Sequence, residues 1–238
     1  MIDSPNNRHL KDLRKLRTAH GRAKSGTPRR FVAEGEDLVD AAQAAGWPAL
    51  QRYVAAGSGL DGTEVEAELL AGVSSLGSGT RILAVYEERW VEPAPPRCVY
   101  LDGVRDPGNV GTIVRAAHAF GAGSVVLGPG SADPFGPKAV RASMGSVFHV
   151  PLARADDPAA LPRPLIGLDS RGGTAIAEVA ARTGADATIV VGGERTGLSA
   201  EVLAACEVIA YIPIAAESLN AAMAATVALY EISRVRPA

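Results

Sequence analysis

Three short stretches of the 238-residue sequence carry residue types suited to binding and aligning a ligand. The first runs Leu101-Asp102-Gly103-Val104-Arg105-Asp106-Pro107-Gly108-Asn109, with Arg115 six positions further on. Pro107-Gly108 reads as a turn, and Asn109 as the N-cap of the helix that carries Arg115. The second, Val191-Gly192-Gly193-Glu194, closes an apolar run. Its two glycines let backbone approach a ligand closely, and Glu194 places an acid directly beyond a strand. The third, Ile212-Pro213-Ile214-Ala215-Ala216-Glu217-Ser218-Leu219-Asn220, leads into an alanine-rich helix. Several chemistries are disfavoured at once. Gly108, Gly111 and the 192–193 pair lack the G-x-G-x-x-G spacing of a dinucleotide fold, and neither a P-loop nor a G-x-S-x-G nucleophile elbow occurs. The two cysteines, Cys98 and Cys206, form no CxxC or Cys/His cluster, so a disulfide scaffold and a structural zinc site are not expected.

Each of these residues has a plainer reading. Asn109 can simply cap a helix, and Ser218 or Asn220 can do the same for the last one. Arg115 can be a surface residue. Glu194 can be an anion at a helix entry, satisfying free N–H groups. His118, one turn after Arg115, is a base candidate near neutral pH but has no evident partner; His149 reads as structural. Lys138 and Arg141 share one helix face and suit phosphate contacts, whereas Cys98 and Cys206 read as small core residues.

The elements that must position these loops show in the apolar pattern. Strand-like runs fall at 99–101, 124–127, 147–152, 165–168, 188–191 and 208–212, with helical segments at 109–120, 137–144, near 158, at 175–181 and 199–204, and from 220 to 235. The runs are apolar on both alternations, which predicts a parallel, doubly wound α/β sheet over 98–238, with ligands beyond the carboxyl ends of the strands. Ahead of it, 31–90 reads as a small α/β unit. Strands are expected at 31–33, 50–56 and 81–86, a helix from about 36 to 45, and a second helix over 63–70 with Thr63 and Glu66 at capping-box spacing. The proline-rich stretch 91–97 reads as the linker.

Net charge is −2, unevenly spread. Residues 1–30 hold nine Lys/Arg and two acids, against 15 basic and 24 acidic residues in the rest. A basic arm on a mildly acidic body suggests a polyanion partner. Leu10, Leu13 and Leu16 recur at helical spacing, so the arm is expected to lay its leucines on the body. Arg8, Lys11, Arg14, Lys15, Arg29 and Arg30 would then face a phosphate backbone. A solvated terminal helix explains the charge equally well. Hydrophobic residues make up 47% and no apolar run reaches the ~18 residues of a membrane span, so no membrane association is expected. The first residues lack a signal-peptide core, and a reducing cytoplasm fits the cysteine usage.

Taken in order at strand ends, the three loops resemble the three motifs of the SpoU (TrmH-like) RNA ribose 2′-O-methyltransferases of the SPOUT superfamily. The likeness covers about 98–235 and extends to Asp133-Pro134-Phe135-Gly136-Pro137-Lys138 and Arg141-Ala142-Ser143-Met144-Gly145. Phe31-Val32-Ala33-Glu34-Gly35 is similar to the L30e-like substrate module that precedes the catalytic domain in ribosomal-RNA members. The resemblance implies a deep C-terminal trefoil knot, a homodimer with its active site near the subunit interface, and S-adenosylmethionine as methyl donor, with no metal. By motif position it implies donor contacts from Val191, Gly192, Gly193, Glu194, Ile212, Pro213, Ile214, Ser218 and Leu219. Asn109, Arg115, Glu194, Ser218 and Asn220 match the family's polar active-site residues, Arg115 serving RNA phosphate and the developing alkoxide. A guanidinium keeps its proton in proteins, so the base is another group or a substrate phosphate oxygen. One departure stands out: only Ala215, Ala216 and Glu217 separate Ile214 from Ser218, where the family usually has a longer, glycine-containing stretch. The implied activity is 2′-O-methylation of structured RNA, ribosomal RNA ahead of transfer RNA. A non-catalytic RNA-binding protein of the same fold is the competing reading.

Overall fold

Val99, Tyr100, Leu101, Val125, Val126, Ile166, Ile189 and Val190 are all essentially inaccessible to solvent, on both alternations of their strands. Only a sheet covered on both faces produces that pattern. The computed structural model describes residues 1–24, 26, 28–75, 79–183 and 186–234. It begins with helices α1 (Arg8–Leu16) and α2 (Ala19–Ala23), followed by β1 (Arg30–Glu34), α3 (Glu36–Ala44), β2 (Gln51–Ala55), β3 (Thr63–Val65), α4 (Ala67–Val73) and β4 (Ile82–Glu87). The second half contains β5 (Cys98–Asp102), α5 (Pro107–Ala119), β6 (Val125–Leu127), α6 (Pro137–Ala142), β7 (Leu152–Arg154), β8 (Leu165–Leu168), β9 (Thr174–Ala175), α7 (Ile176–Thr183), β10 (Thr188–Gly192), α8 (Ala200–Ala205), β11 (Val208–Tyr211) and α9 (Ala221–Ser233). Val235, the expected end of the last helix, lies outside the described residues.

The large sheet has the order β7-β6-β5-β10-β8-β11-β9 and every pair is parallel. From β5 the chain winds outward through β6 and β7, then returns to build the other half beyond β10. The winding direction therefore reverses between β5 and β10, whose carboxyl ends, Asp102 and Gly192, lie in register. That is where a doubly wound sheet opens a crevice for a ligand. The smaller sheet, β1-β4-β2-β3, is mixed.

The two sheets share a core. Phe31 of β1 packs on Phe135 and Phe148 with ring centroids 4.7 and 5.9 Å apart, and Trp47 donates its indole N–H to the Phe148 carbonyl at 2.8 Å. Leu10, Leu13 and Leu16 of α1 are buried with Val32, Tyr53, Leu70 and Val85, so the basic segment is packed onto the small sheet along its leucine face. Arg22 is not on that solvent face. It is 3% exposed and pairs with Asp133 at 2.7 Å, linking α2 to the loop before α6. The proline-rich stretch is pinned too: Val91 N–H donates to the Leu152 carbonyl, and Ser124 Oγ both accepts from the Ala94 N–H and donates to the Ala94 carbonyl.

Two local expectations fail for tertiary reasons. Residues 63–65 form a strand beside β2 rather than the first turn of a helix. Ile2 bridges to Val65, exchanging backbone hydrogen bonds with Glu64 and Glu66, and those contacts outweigh the capping-box spacing. The apolar run 147–152 is not one strand. Ser146–Phe148 forms a 3-10 turn that drives Val147 and Phe148 into the shared core, and pairing begins only at Leu152. Among the described residues no helix is long and apolar enough to cross a membrane.

Candidate active site

The helix after β5 starts two residues earlier than the sequence suggested. Pro107 occupies its first turn, and Asp106 is the N-cap, its carboxylate accepting from the Asn109 N–H at 3.0 Å. This displaces Asn109 from the capping role and frees its side chain. The amide nitrogen of Asn109 donates to Glu194 Oε1 at 2.6 Å, and its oxygen accepts from Asn220 Nδ2 at 2.9 Å. Asn220 is indeed the cap of α9, its oxygen accepting from the Ala222 and Met223 N–H groups, and it serves both purposes at once. One polar chain, Glu194–Asn109–Asn220, thus joins all three loops.

Beside this chain lies a cavity of about 300 Å³, at the lower end of the range for small-molecule sites, roughly 300–1,000 Å³. Val191, Gly192, Gly193, Glu194, Ile212, Ile214, Ser218 and Leu219 line it, while Pro213 does not. Asn109, Arg115 and Asn220 stand outside its wall. The short third loop still presents Ile214, Ser218 and Leu219 to the cavity, so its length does not remove that wall. Gly192 is required by packing: a Cβ there would sit 2.3 Å from the Gly197 backbone. The following turn doubles back on the strand end, with Gly197 N–H donating to the Gly193 carbonyl. Gly111 has a different reason, since a Cβ would meet the Ala139 carbonyl of α6 at 2.3 Å.

Sequence reasoning missed one side of the cavity. Leu168 at the end of β8 and Asp169, Ser170 and Arg171 after it line the cavity, as do Arg195, Thr196, Tyr211 and Ala224. Residues 169–171 contain no glycine or proline signature and enter only because β8 lies between β10 and β11. Arg171 hydrogen-bonds Asp169, holding that carboxyl below the usual range. The available signal was positional: every strand end at the switch point faces the crevice.

Electrostatics sort the remaining candidates. Lys138 pairs with Asp106 at 2.7 Å, and that hydrogen bond, helped by the Asn109 N–H, lowers the Asp106 carboxyl. A cation therefore sits at the N-terminus of the helix that carries Asn109. Arg141 reaches the Ser75 hydroxyl at 3.4 Å. Arg115 is exposed and, among the described residues, has no hydrogen-bond or ion-pair partner. His118 contacts Ser146 Oγ at 3.2 Å and stacks flat on His149, 4.5 Å away. Desolvation and that second imidazole keep its pKa below the ordinary histidine value, so the pair reads as packing. Burial raises both thiols, Cys206 to about 11, which leaves neither nucleophilic at neutral pH.

A cavity beyond the strand ends of a parallel sheet, walled by its crossover loops and flanked by a polar chain, defines an α/β protein with a candidate small-ligand site at its topological switch point. Comparison with known proteins gives that class a family. A family model described as the SpoU rRNA Methylase family matches residues 96–230. The 23S rRNA (guanosine(2553)-2′-O)-methyltransferase RlmP of Bacillus subtilis is 33% identical over 97% of this chain and 98% of its own length. A 23S rRNA (uridine(2479)-2′-O)-methyltransferase of Streptomyces viridochromogenes is 36% identical over 58% of this chain and 52% of its own. Among solved structures, an AdoMet-bound rRNA methyltransferase from Sinorhizobium meliloti superposes with a TM-score of 0.85 at 29% identity, covering 98% of this chain and 97% of that one. The AdoMet complex of the SpoU methyltransferase AviRb gives 0.83 at 27% identity, covering 96% and 98%. The chain belongs to the SpoU rRNA methylase family.

Proposed function

We propose that this chain methylates a ribose 2′-hydroxyl of ribosomal RNA with S-adenosylmethionine as donor. The carrying observation is the Glu194–Asn109–Asn220 chain, which gathers the three loops at the edge of one cavity. The full-length likeness to a 23S rRNA 2′-O-methyltransferase and to AdoMet-bound neighbours supports it.

The lining suits the donor. Leu168, Val191, Ile212 and Leu219 offer apolar faces to an adenine ring, while Glu194 supplies a carboxylate for a cationic ligand and Asp169 is paired with Arg171. When bound, S-adenosylmethionine supplies a methyl group already activated by a sulfonium charge. The chain must then provide alignment, because transfer requires the oxygen held in line within about 3–3.5 Å of the carbon. Asn109 fixes Glu194 and Asn220 relative to one another. Ser218 presents a hydroxyl in the cavity wall. Arg115 has no hydrogen-bond or ion-pair partner among the described residues and is available to an RNA phosphate and to the developing alkoxide.

Residues 1–90 act as the RNA-selecting module, with Arg8, Lys11, Arg14, Lys15 and Arg29 exposed along it and Arg30 half-buried; Lys138 and Arg141 continue the phosphate path on the catalytic half. The functional unit is a homodimer: Met223 and Tyr230, seven residues apart on α9, leave 58% and 47% of their surface exposed, an apolar stripe beside α5 that a second copy would cover. The C-terminal segment is threaded as a trefoil knot. In support, α9 returns to pack against α5, α7 and β10 after the chain has crossed from β10 to β11 around β8. A modifier of ribosomal RNA works in the cytoplasm. Mapping 2′-O-methyl groups in ribosomal RNA from cells with and without the protein tests this reading. One ribose losing its methyl group is expected; an unchanged map, together with no S-adenosylmethionine binding by calorimetry, sinks it.

A further inference from the structure

A second cavity, of about 430 Å³, lies in the N-terminal module, outside the three loops. Its lining comes from α1, α2, β1, β2 and β4. Leu13, Leu16 and Val85 form an apolar floor, each 6% exposed or less. Lys15, Lys24 and Arg30 bring cations to the described lining and Asp12 a carboxylate, and His9, His20 and Gln51 add polar groups. The Asp12 pair with Lys15, at 3.1 Å, leaves both side chains well exposed and is weak in water. The polar edge is ordered. Tyr53 donates its hydroxyl proton to Gln51 Oε1 at 2.6 Å, and its oxygen meets His9 Nδ1 at 2.9 Å. Among the described residues the Gln51 amide N–H groups and His9 Nε2 have no other partner.

A hydrogen-bonding edge and a cationic rim together match one chemistry, a nucleoside monophosphate unit: polar base edge and anionic phosphate. We propose that this cavity receives one nucleotide swung out of the substrate RNA, with its base edge at Gln51 and His9 and its phosphate against Lys15 and Lys24. The inference rests on the proposed RNA methylation and names a subsite for that substrate. The cavity is held at a fixed distance from the reacting end of the molecule. Arg22 of α2 donates to the Leu16 carbonyl and pairs, buried, with Asp133. Asp133 leads directly into α6, whose Lys138 binds the N-cap of α5 three residues before Asn109. RNA that cannot place an extruded nucleotide and the target ribose at that separation engages one site or the other, which makes the pair a ruler for RNA shape.

The test uses the full chain with protein-free 23S rRNA, comparing wild type with Lys24→Glu, Gln51→Ala and the conservative Lys24→Arg. Lys24→Glu is expected to raise the KM for RNA about tenfold with kcat within about twofold, and to reduce the slope of log affinity against log salt by about one; Lys24→Arg restores both. Gln51→Ala raises KM without changing the salt slope. An unchanged KM in Lys24→Glu and Gln51→Ala overturns the proposal. Amide NMR shifts at Gly21, Lys24 and Val85 on adding AMP, GMP, CMP or UMP, with that unchanged KM, would mark a free-nucleotide site and overturn the RNA assignment. If wild-type protein transfers no methyl group, the proposed activity fails by itself. Filter binding of the same RNA then decides the cavity: weaker binding by Lys24→Glu and rescue by Lys24→Arg support it, and equal binding ends it.

Discussion

Asn109 and Glu194, 85 residues apart in sequence, meet through a 2.6 Å hydrogen bond from the amide nitrogen to the carboxylate, and the opposite side of the same amide is held by Asn220. No single loop fixes the edge of the cavity; the amide in the middle does. Asn109→Ala removes both bonds and Asn109→Asp sets two carboxylates face to face. Both variants are expected to weaken S-adenosylmethionine binding about tenfold, the loss of roughly 1.4 kcal/mol, while thermal stability shifts little because the group lies near the surface. Calorimetric titration beside a melting curve measures the two effects. Unaltered donor affinity in both variants would mean that the loops hold their positions without this link.

Arg115 is exposed and, among the described residues, makes no hydrogen bond or ion pair that its removal would forfeit. Arg115→Ala should therefore fold with stability within about 0.5 kcal/mol of wild type and bind donor normally. Methyl transfer should fall by about 10²-fold or more, the usual cost of deleting a group that stabilises a developing oxyanion. Near-normal turnover would remove Arg115 from the mechanism.

Gly192 has no room for a methyl group, given the Gly197 backbone 2.3 Å from the position of its Cβ. Gly192→Ala must push the turn at 193–197 away from the strand end and into the cavity. The expected result is a loss of about 1–3 kcal/mol in unfolding free energy and at least tenfold weaker donor binding. Denaturant titration and calorimetry read both, and a variant that matches wild type in each would show that the turn has slack.

Glu88 provides the pH-dependent case. It is buried, one carboxylate oxygen accepts from the Trp90 indole and the other has no partner among the described residues. Burial raises its pKa above the ordinary carboxylate value. The native state then holds a proton that the unfolded chain has already released, so stability falls as pH rises from the unfolded value, about 4.3, through the raised native one. Glu88→Gln keeps an acceptor for Trp90 and removes the charge. It should be more stable than wild type at pH 7.5, with the advantage vanishing below about pH 4. Equal differences at both pH values, from urea unfolding, would contradict a buried charge as the cause.

Most of the architecture was legible because both faces of the large sheet are buried: five of the expected strand positions, at 99–101, 124–127, 165–168, 188–191 and 208–212, coincide with β5, β6, β8, β10 and β11 to within a residue. The leucine face of α1 was legible for the same reason, as apolar periodicity reports burial. Residues 63–65 and 147–152 were misread because their partners, Ile2 in one case and the Phe31 cluster in the other, lie far away in sequence. Asn109 looked like a helix cap because Asn commonly is one; only the Asp106 carboxylate, already occupying that role, redirects its side chain to Glu194 and Asn220.

Residue type and order by themselves determined the parallel α/β scaffold, the three polar loops at its strand ends and the basic character of the first 30 residues. These are properties of local pattern and charge. The tertiary structure alone decided which amide joins the loops, that the turn after β8 also walls the cavity, that Arg22 is an internal ion pair rather than part of a basic surface, and that a second cavity opens beside it. Each of those facts depends on a distance between atoms 85 or more residues apart or on the volume left between packed elements, and neither quantity is carried by any local window of sequence.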